Sequence, residues 1–181
     1  MRNKIHEGFL RRQCEEGVRL ADESDVLNLV PAGGEPPDRY IVEFRCKGLI
    51  RNRDGEIAVA DRFAAGIRFP ADYLRRADPL QIVTWVAPFN IFHPNIAPPV
   101  VCLGRVTPGT SLVDIVYQLH DIVTYNKVTM REDDSLNPAA CAWARHNTYR
   151  FPIDRRPLKR RVIQFEVNLS PGSGVMESAG Q

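Results

Sequence analysis

The stretch FNIFHPNIAPPVVCLG, residues 89–104, joins a His-Pro-Asn tripeptide to a cysteine that lies seven residues after the asparagine. All three of its prolines stand between the histidine and the cysteine. Proline fixes φ and removes a backbone donor, and it also restrains the residue before it. We therefore expect residues 93–101 to form a stiff extended loop rather than an ordinary strand or helix. Such a loop would hold the side chains of His93, Asn95 and Cys102 in fixed places.

The length and composition of the chain limit the classes of protein to which it can belong. With 181 residues, of which 44% are hydrophobic, it can bury one sizeable core and fits a single domain plus tails. The 24 basic and 22 acidic residues leave a formal net charge of +2, so no global field recruits nucleic acid or an anionic membrane. The opening MRNKIHEGFLRR lacks the apolar core of a signal peptide, and no later run approaches a membrane span. A cytoplasmic location is expected.

The four cysteines, Cys14, Cys46, Cys102 and Cys141, contain no CxxC pair. Their wide spacing predicts neither a disulfide framework nor a zinc site, and we expect no metal or other cofactor. Because unpaired cysteine is among the most buried residue types, three of the four are interpreted as packing residues. On local chemistry alone, the cysteine of the opening stretch could be one as well.

Residues 3–21 show helical periodicity. Leu10, Cys14 and Val18 recur four residues apart, with charged residues on the other sides. This pattern is typical of an amphipathic helix. We expect the face that carries these three residues to pack on the core.

The middle of the chain has the alternation of strands. In RYIVEFRCKGLI, residues 39–50, apolar and polar side chains alternate, which is the pattern of a half-buried strand. An Arg-Asp-Gly turn at 53–55 and two further segments, 56–69 and 81–89, complete an antiparallel meander. The segment 31–37, rich in proline and glycine, is predicted to be a turn that precedes the meander.

Two further helices are predicted after the opening stretch. Residues 112–126 carry apolar residues at helical spacing and follow Ser111, a favourable N-cap residue. Asn137 followed by Pro138 is a second helix start signal. The order helix, three or four strands, helix, helix implies an α+β domain, with the helices packed on or beside an antiparallel sheet.

The character of the chain changes near residue 150. RFPIDRRPLKRR, residues 150–161, carries six basic residues and one acid, and we interpret it as a solvated surface rather than a nucleic-acid element. The segment 162–170 alternates apolar and polar residues and either adds an edge strand or docks on a partner. The remaining residues lack the apolar content needed to order themselves. We therefore predict a domain at 1–150 and a basic extension with a flexible tail at 151–181.

Four short segments of the chain resemble the ubiquitin-conjugating enzymes, in the order of that family and at nearly its spacing. The family has a Phe-Pro-x-x-Tyr-Pro segment, a His-Pro-Asn tripeptide, an active cysteine followed by leucine, and an Asp-Asp-Pro-Leu segment that opens a helix. The corresponding pieces here are Phe69-Pro70-Ala71-Asp72-Tyr73, His93-Pro94-Asn95-Ile96, Val101-Cys102-Leu103 and Asp133-Asp134-Ser135-Leu136-Asn137-Pro138. The resemblance covers roughly residues 3–147.

Three differences separate this chain from the family pattern. The loop from Asn95 to Cys102 is one residue shorter, and Leu74 stands where the family has the second proline. No tryptophan lies between Cys102 and the following helix. The chain is therefore identified as a divergent member, similar to the prokaryotic conjugating-like proteins. For a bacterial source, analogy implies a bacterial ubiquitin-like pathway that serves antiviral defence.

The resemblance implies a fold and a chemistry. The fold has an N-terminal helix, an antiparallel meander sheet, an active-site loop and C-terminal helices. The chemistry is that of an acyltransferase, which accepts a ubiquitin-like protein from an activating enzyme as a thioester on Cys102 and passes it to a lysine of a target protein, with or without a ligase. The N-terminal helix would dock the activating enzyme through Lys4, Arg11, Arg12 and Arg19. No cofactor, nucleic acid or membrane is implied.

The resemblance also implies a role for each site residue. Thiolates attack acyl groups and leave again more readily than alkoxides, which suits Cys102 as the acyl acceptor. Asn95 would donate a hydrogen bond to the oxyanion of the aminolysis step. His93 would shape the loop through a hydrogen bond to the backbone, with general-base catalysis as the alternative. Asp134, or else its neighbour Asp133, would orient the incoming amine or accept its proton.

Two other classes of function stay open at this stage. One is a binding module of the same fold without transfer activity, against which the presence of Cys102 argues. The other is an unrelated cysteine hydrolase, in which His120 or His146 activates Cys102. That mechanism needs a histidine within hydrogen-bond reach of the thiol.

Overall fold

The structure, a computed structural model, describes residues 4–160. It is a mixed α+β arrangement with an N-terminal helix and an antiparallel sheet. The helices are α1 (Lys4–Asp22), α2 (Pro79–Ile82), α3 (Leu112–Val123) and α4 (Pro138–His146). The strands are β1 (Leu27–Ala32), β2 (Arg39–Phe44), β3 (Gly48–Arg51), β4 (Ile57–Ala60), β5 (Phe63–Arg68), β6 (Val83–Ala87), β7 (Ile96–Ala97) and β8 (Val100–Val101). No helix in this part of the chain has both the length and the apolar character needed to cross a lipid bilayer.

The main sheet has the strand order β1-β2-β5-β6, with all neighbours antiparallel. Within it, Val42 of β2 lies opposite Leu29 of β1 on one side and Ala65 of β5 on the other. The alternation predicted for β2 is confirmed, since Tyr40, Val42 and Phe44 are buried and the residues between them are exposed. These buried residues share one core cluster with the apolar faces of α1 and α3. One face of the sheet therefore carries both helices.

The predicted N-terminal helix is confirmed, but its buried face is turned away from Val18, which is 39% exposed. Gly17 faces the core instead. A Cβ on Gly17 would lie 2.6 Å from Cδ2 of Leu112 and 3.3 Å from Cδ1 of Leu29. The backbone amide of Leu112 donates to Oε1 of Gln13 at 2.7 Å. Helix α1 thus approaches α3 and β1 through its glycine, and a larger residue there would push the helices apart.

The two C-terminal helices begin where their cap residues predict. Ser111 accepts a hydrogen bond from the amide of Asp114, whose carboxylate in turn accepts from the Ser111 backbone, a reciprocal capping box. Asn137 caps α4 with its side chain and is followed by a proline in the first turn. Helix α3 ends at Val123, earlier than the predicted residue 126. It ends there because Tyr125 takes a φ of 61°, which turns the chain out of the helix.

The sheet differs from the predicted meander in three places. Strand β1 was not predicted, because the sequence from Pro31 onward has the composition of a turn. In the structure Pro31 lies within the strand. The predicted strands 39–50 and 56–69 are each divided, since the chain leaves the main sheet to form the separate β3–β4 hairpin. The segment 81–89 begins in α2 rather than as a strand, because Asp78 caps that short helix with its side chain.

Residues 151–160, here called the C-terminal strap, run across the end of the main sheet. Asp154 is buried and accepts a hydrogen bond from the Lys47 amide at 2.7 Å, while Arg156 donates to the Arg45 carbonyl at 2.9 Å. Burial alone would raise the pKa of Asp154, but the hydrogen bonds from Arg156 and from the Lys47 amide outweigh it and hold that pKa well below its ordinary value. The strap therefore ties down the chain where it passes from β2 to β3.

The far end of the strap packs against the start of the chain. Leu158 is 2% exposed and belongs to the main core cluster. Lys159 pairs with Glu23, and Arg160 pairs with Asp25. Three of the five basic residues in the described part of the run predicted at 150–161, Arg156, Lys159 and Arg160, thus pair with acids. The predicted strand at 162–170 and the predicted flexible tail lie outside the described residues.

Candidate functional site

The opening stretch, residues 89–104, is fixed to the protein on both sides. On one side the Phe92 amide donates to the Leu49 carbonyl of β3 at 2.8 Å. On the other side the Trp85 amide of β6 donates to the Pro99 carbonyl at 2.8 Å. Its backbone therefore joins the main sheet to the β3–β4 hairpin.

The prediction that residues 93–101 form a stiff extended loop, rather than an ordinary strand or helix, needs one correction, because part of this loop is paired. Residues 96–97 and 100–101 form β7 and β8, which pair with each other as a two-stranded antiparallel sheet. This pairing is compatible with the prolines, because Pro98 and Pro99 occupy the turn between the two strands, where the ladder needs no amide donor. The pairing adds rigidity just before Cys102.

Asn95 ties the loop to the segment that follows α3. Its Oδ1 accepts from the Thr129 amide at 2.9 Å, and its Nδ2 donates to Thr129 Oγ1 at 2.8 Å. Nδ2 also donates to the Cys102 carbonyl at 3.3 Å, while the Cys102 amide donates to the Asn95 carbonyl at 2.8 Å. Asn95 is 4% exposed. Its side-chain amide thus bridges two segments, and its longest hydrogen bond is the one beside the cysteine.

His93 is completely buried, and its Nδ1 accepts from the Asn95 amide at 3.0 Å. The ring lies edge-on to Tyr125, with 4.3 Å between ring centroids, and the Tyr125 hydroxyl donates to the Phe92 carbonyl. Burial lowers the pKa of His93 to about 3, an effect that the Lys127 carbonyl partly opposes. The ring is therefore neutral near pH 7, with its proton on Nε2. Because Nδ1 accepts a hydrogen bond and Nε2 carries the proton, neither ring nitrogen has a free lone pair with which to act as a general base. The geometry therefore suits a loop-shaping role for His93.

Lys127 contacts the backbone immediately after the cysteine. Its Nζ donates to the Leu103 carbonyl at 2.6 Å and to Oε1 of Gln118 at 3.4 Å. The next residue, Gly104, has a φ of 85°, a conformation that glycine adopts readily. The ammonium group thus stabilises the sharp turn that leads away from Cys102.

The acidic segment before α4 docks on the His-Pro-Asn tripeptide, because the Leu136 amide donates to the Pro94 carbonyl at 2.8 Å. Asp133 and Asp134 are both exposed, and both pair with Arg131. The hydrogen bond from Arg131 lowers the pKa of Asp133. Among the hydrogen bonds of residues 4–160, neither carboxylate reaches Cys102. The geometry therefore does not distinguish between the two acids.

The four cysteines are all unpaired and fall into two groups by burial. Cys46 and Cys141 are buried, and burial raises the pKa of Cys46 to about 12. Cys14 and Cys102 are half-buried. Burial, reinforced by Glu35, raises the pKa of Cys14. Cys14 is therefore a suitable comparison thiol for Cys102, with similar exposure but far from the opening stretch in the sequence.

The histidines of the hydrolase hypothesis lie elsewhere. His120 is buried in α3, with its ring 6.1 Å from that of Phe44, and burial lowers its pKa. His146 Nδ1 lies 2.8 Å from the Ala142 carbonyl of its own helix. Within the described part of the chain, neither ring hydrogen-bonds to Cys102. The geometry gives the hydrolase hypothesis no support.

Sequence reasoning missed two residues that hold the site, Thr129 and Lys127. Both lie between α3 and α4, in a segment without apolar periodicity. Each acts through a contact with a distant residue, Asn95 for Thr129 and Leu103 for Lys127. No motif within the segment itself indicates these contacts.

No protein-family model matches the chain, and no curated protein matches it.

Proposed function

We propose that this protein has a ubiquitin-conjugating-type fold and carries a ubiquitin-like protein as a thioester on Cys102, between an activating enzyme and an amine. The observation that supports this most is the pair of hydrogen bonds between Asn95 and Cys102, within a loop that is fixed on both sides. A carrier must present one thiol in one position to a donor and then to an acceptor. The bridge to Thr129 and the contact of Lys127 with Leu103 support such a position.

In the loading step, the Cys102 thiolate attacks the C-terminal glycyl carbonyl of the incoming thioester, and the donor's cysteine leaves as a thiolate. In the discharge step, a neutral lysine amine attacks the same carbonyl and Cys102 leaves. The tetrahedral intermediate places negative charge on the carbonyl oxygen. The Asn95 donor lies next to Cys102, and its 3.3 Å bond is long enough to be exchanged at little cost for a bond to that oxygen.

The acidic segment is proposed to receive the amine. Asp133 and Asp134 are exposed beside the tripeptide, so a lysine from another protein can reach them. A carboxylate raises the pKa of a nearby lysine, whereas desolvation lowers it. Proton loss therefore requires either a carboxylate that accepts the proton or a site from which water is excluded. Arg131 competes with the amine for both acids.

The activating enzyme is proposed to dock on α1, whose Lys4, Arg11, Arg12 and Arg19 are all exposed. These residues lie away from the buried face that contains Gly17. An acidic partner surface would be steered to them, with the salt dependence of long-range charge attraction.

A peptide that ends in Gly-Gly, supplied as a thioester of a small thiol, tests the chemistry without a protein partner. We expect acylation at Cys102, reversal by added thiol, and release to lysine in preference to water. Cys102→Ala should remove the adduct, and Cys102→Ser should retain a longer-lived oxyester. Cys14→Ala is the matched control and should leave the adduct in place. Loading from a ubiquitin-like protein with an activating enzyme and ATP then extends the test to the partners.

Three outcomes would contradict the proposal. Acylation of the Cys102→Ala variant at the parent rate would show that another residue is the acceptor. Release to water in preference to lysine would indicate a hydrolase. Failure of Cys102 to react faster than Cys14 would indicate a binding module.

A further inference from the structure

The main sheet has a second face, here called the outer face, opposite the one that carries α1 and α3. On β2 this face presents Arg39, Ile41 and Glu43, which are exposed between the buried residues of the strand. Val30 of β1 lies directly opposite Ile41 on one side, and Gly66 of β5 lies opposite it on the other. These residues therefore share one solvent-exposed surface.

The centre of the outer face is apolar. Val30, Ile41 and Val86 have exposed fractions of 48%, 38% and 39%. A Cβ built on Gly66 would lie 3.9 Å from Cδ1 of Ile41 and 3.9 Å from Cγ2 of Val86. Ile41 and Val86 thus form the walls of a shallow depression over the glycine, and Val30 extends the patch toward β1. Grouped exposed apolar residues with a charged rim are typical of interaction surfaces.

The charges of the outer face are distributed unevenly along β2. Toward the start of the strand, Arg39 lies directly opposite Arg68 of β5, and like charges in that arrangement repel each other. Within residues 4–160, Arg68 forms no ion pair, and Arg39 has only a contact of 3.8 Å with the aspartate before it. Toward the end of the strand, Glu43 accepts a hydrogen bond from Asn28 at 3.1 Å. The basic pair and the acid therefore lie on opposite sides of Ile41.

This distribution is complementary to itself. A two-fold axis through Ile41, perpendicular to the sheet, places Arg39 and Arg68 of one copy over Glu43 of the other and brings the two apolar centres together. Face-to-face sheets pack with their strands within about 30° of alignment. Two residues from the axis, that angle displaces the facing side chains by only about 3 Å, which an arginine can span.

The remaining charges of the outer face agree with the same axis. Beyond Glu43 the face ends with Arg45 and Arg62, both exposed. The axis carries these two residues toward the turn at 33–38 of the second copy, which contains Glu35 and Asp38. An unrelated acidic surface would meet the arginines as well, but it would be repelled by Glu43, which stands between them. The charge pattern therefore favours a second copy of the chain as the partner.

We propose that the outer face of the main sheet binds a second copy of this chain and forms a two-fold dimer. The four strands, spaced about 4.8 Å apart and about 20 Å long, give an area of about 400 Å² in each copy. With the relief of the side chains and the flanking turns, the interface reaches about 1,000–1,200 Å² in total, near the lower limit for a specific interface. The dissociation constant is therefore expected in the micromolar range. The proposal uses no residue of the site around Cys102 and is independent of the thioester chemistry.

Sedimentation velocity of the full chain, from about 1 to about 500 µM, tests the dimer. The mass should change from that of a monomer to that of a dimer across this range. Ile41→Asp places a charge at the apolar centre and should weaken dimerisation at least about a hundredfold. The matched change Val59→Asp, at a valine of β4 that is 52% exposed and outside the main sheet, should leave it unchanged.

An exchange of charges tests the two-fold axis. Arg39→Glu and Glu43→Arg each set like charges against each other at two symmetry-related contacts, and each should weaken dimerisation about tenfold. In the double variant the opposite charges face each other again in exchanged order. It should therefore dimerise at least about threefold more tightly than either single variant. All these positions are exposed, and urea unfolding of each variant verifies that it is folded.

Three outcomes would overturn the proposal. The first is a parent protein that stays monomeric at the highest concentration. The second is a dimer that persists in Ile41→Asp, because the contact would then lie elsewhere on the molecule. The third is a double variant that dimerises no more tightly than the single variants, because Arg39 and Glu43 would then not face each other across the axis.

Discussion

The bridge between Asn95 and Thr129 allows a structural role of Asn95 to be separated from a chemical one. Thr129→Val removes the 2.8 Å bond to Oγ1 but retains the 2.9 Å bond from the Thr129 amide to Oδ1. A buried donor left without a partner costs about 1–3 kcal/mol, so Thr129→Val should lower the free energy of unfolding by about 1–2 kcal/mol. Asn95→Ala loses all three side-chain bonds and should lower it by about 2–3 kcal/mol.

The rates of discharge should not follow these stabilities. In Thr129→Val the Nδ2 donor beside Cys102 is still present, so aminolysis should stay within about threefold of the parent. In Asn95→Ala that donor is gone, and aminolysis should fall by about 10²–10³ at every pH. The assay is single-turnover transfer from peptide-acylated Cys102 to free lysine across pH, with urea unfolding of the same proteins as the stability measurement.

One result would refute the reasoning. If Thr129→Val slows discharge as much as Asn95→Ala does, then Asn95 acts only by bridging the two segments and donates nothing to the oxyanion. The double variant gives a further check, because residues that share a hydrogen bond should be coupled by about 1 kcal/mol in the free energy of unfolding.

Three further predictions follow from the contacts around the site. Lys127→Met should slow peptide acylation and discharge together, by about tenfold, because the turn after Cys102 loses a charged hydrogen bond. Lys127→Arg should recover part of both rates. Full activity of Lys127→Met would exclude a positioning role for this lysine. His93→Asn keeps an acceptor near Nδ1 but does not titrate. Because the folded pKa of His93 is about 3 and the ordinary value is 6.5, the unfolded chain binds the proton first as pH falls. The free energy of unfolding of the parent should then fall by up to about 1.4 kcal/mol per pH unit, relative to His93→Asn, as the pH falls from about 6 to about 4. Equal pH slopes of the two proteins in urea unfolding would show that His93 does not cause the loss of stability in acid. Of Asp133→Ala and Asp134→Ala, the variant of the functional acid should show a discharge defect that is partly recovered at high pH, where more lysine is neutral; a defect in neither variant would exclude both acids.

Local signals predicted the parts of the fold that depend on local physics. The caps Ser111 and Asn137 mark real helix starts, because each satisfies an amide in the turn that follows it. The alternation of β2 predicted its buried face, because successive strand residues point to opposite sides. Strand β1 was missed because it contains a proline, which a strand tolerates at the edge of a sheet. Whether a strand lies at an edge depends on tertiary structure and cannot be read from the local sequence.

The candidate site was predictable in its loop but not in the residues that support it. His93, Asn95 and Cys102 belong to one short stretch and are joined by hydrogen bonds. Thr129 and Lys127 contact that stretch from another segment, and only the folded chain brings them near. The face of α1 differed from the prediction for a related reason. The periodicity counts apolar residues, whereas close packing at this contact requires the smallest residue, a glycine.

Tyr125 has a consequence for anyone who selects variants of this protein. A φ of 61° costs a bulky residue about 1–2 kcal/mol, so a search for backbone strain alone would choose Tyr125→Gly as a stabilising change. The same change deletes the ring that packs on His93 and the hydroxyl that binds the Phe92 carbonyl. The ring is 1% exposed, and truncating a buried aromatic side chain costs about 3–5 kcal/mol, which is more than the relief of strain returns. Melting temperature and transfer activity should therefore fall together at this position, and an engineered library should leave its strained backbone as it is.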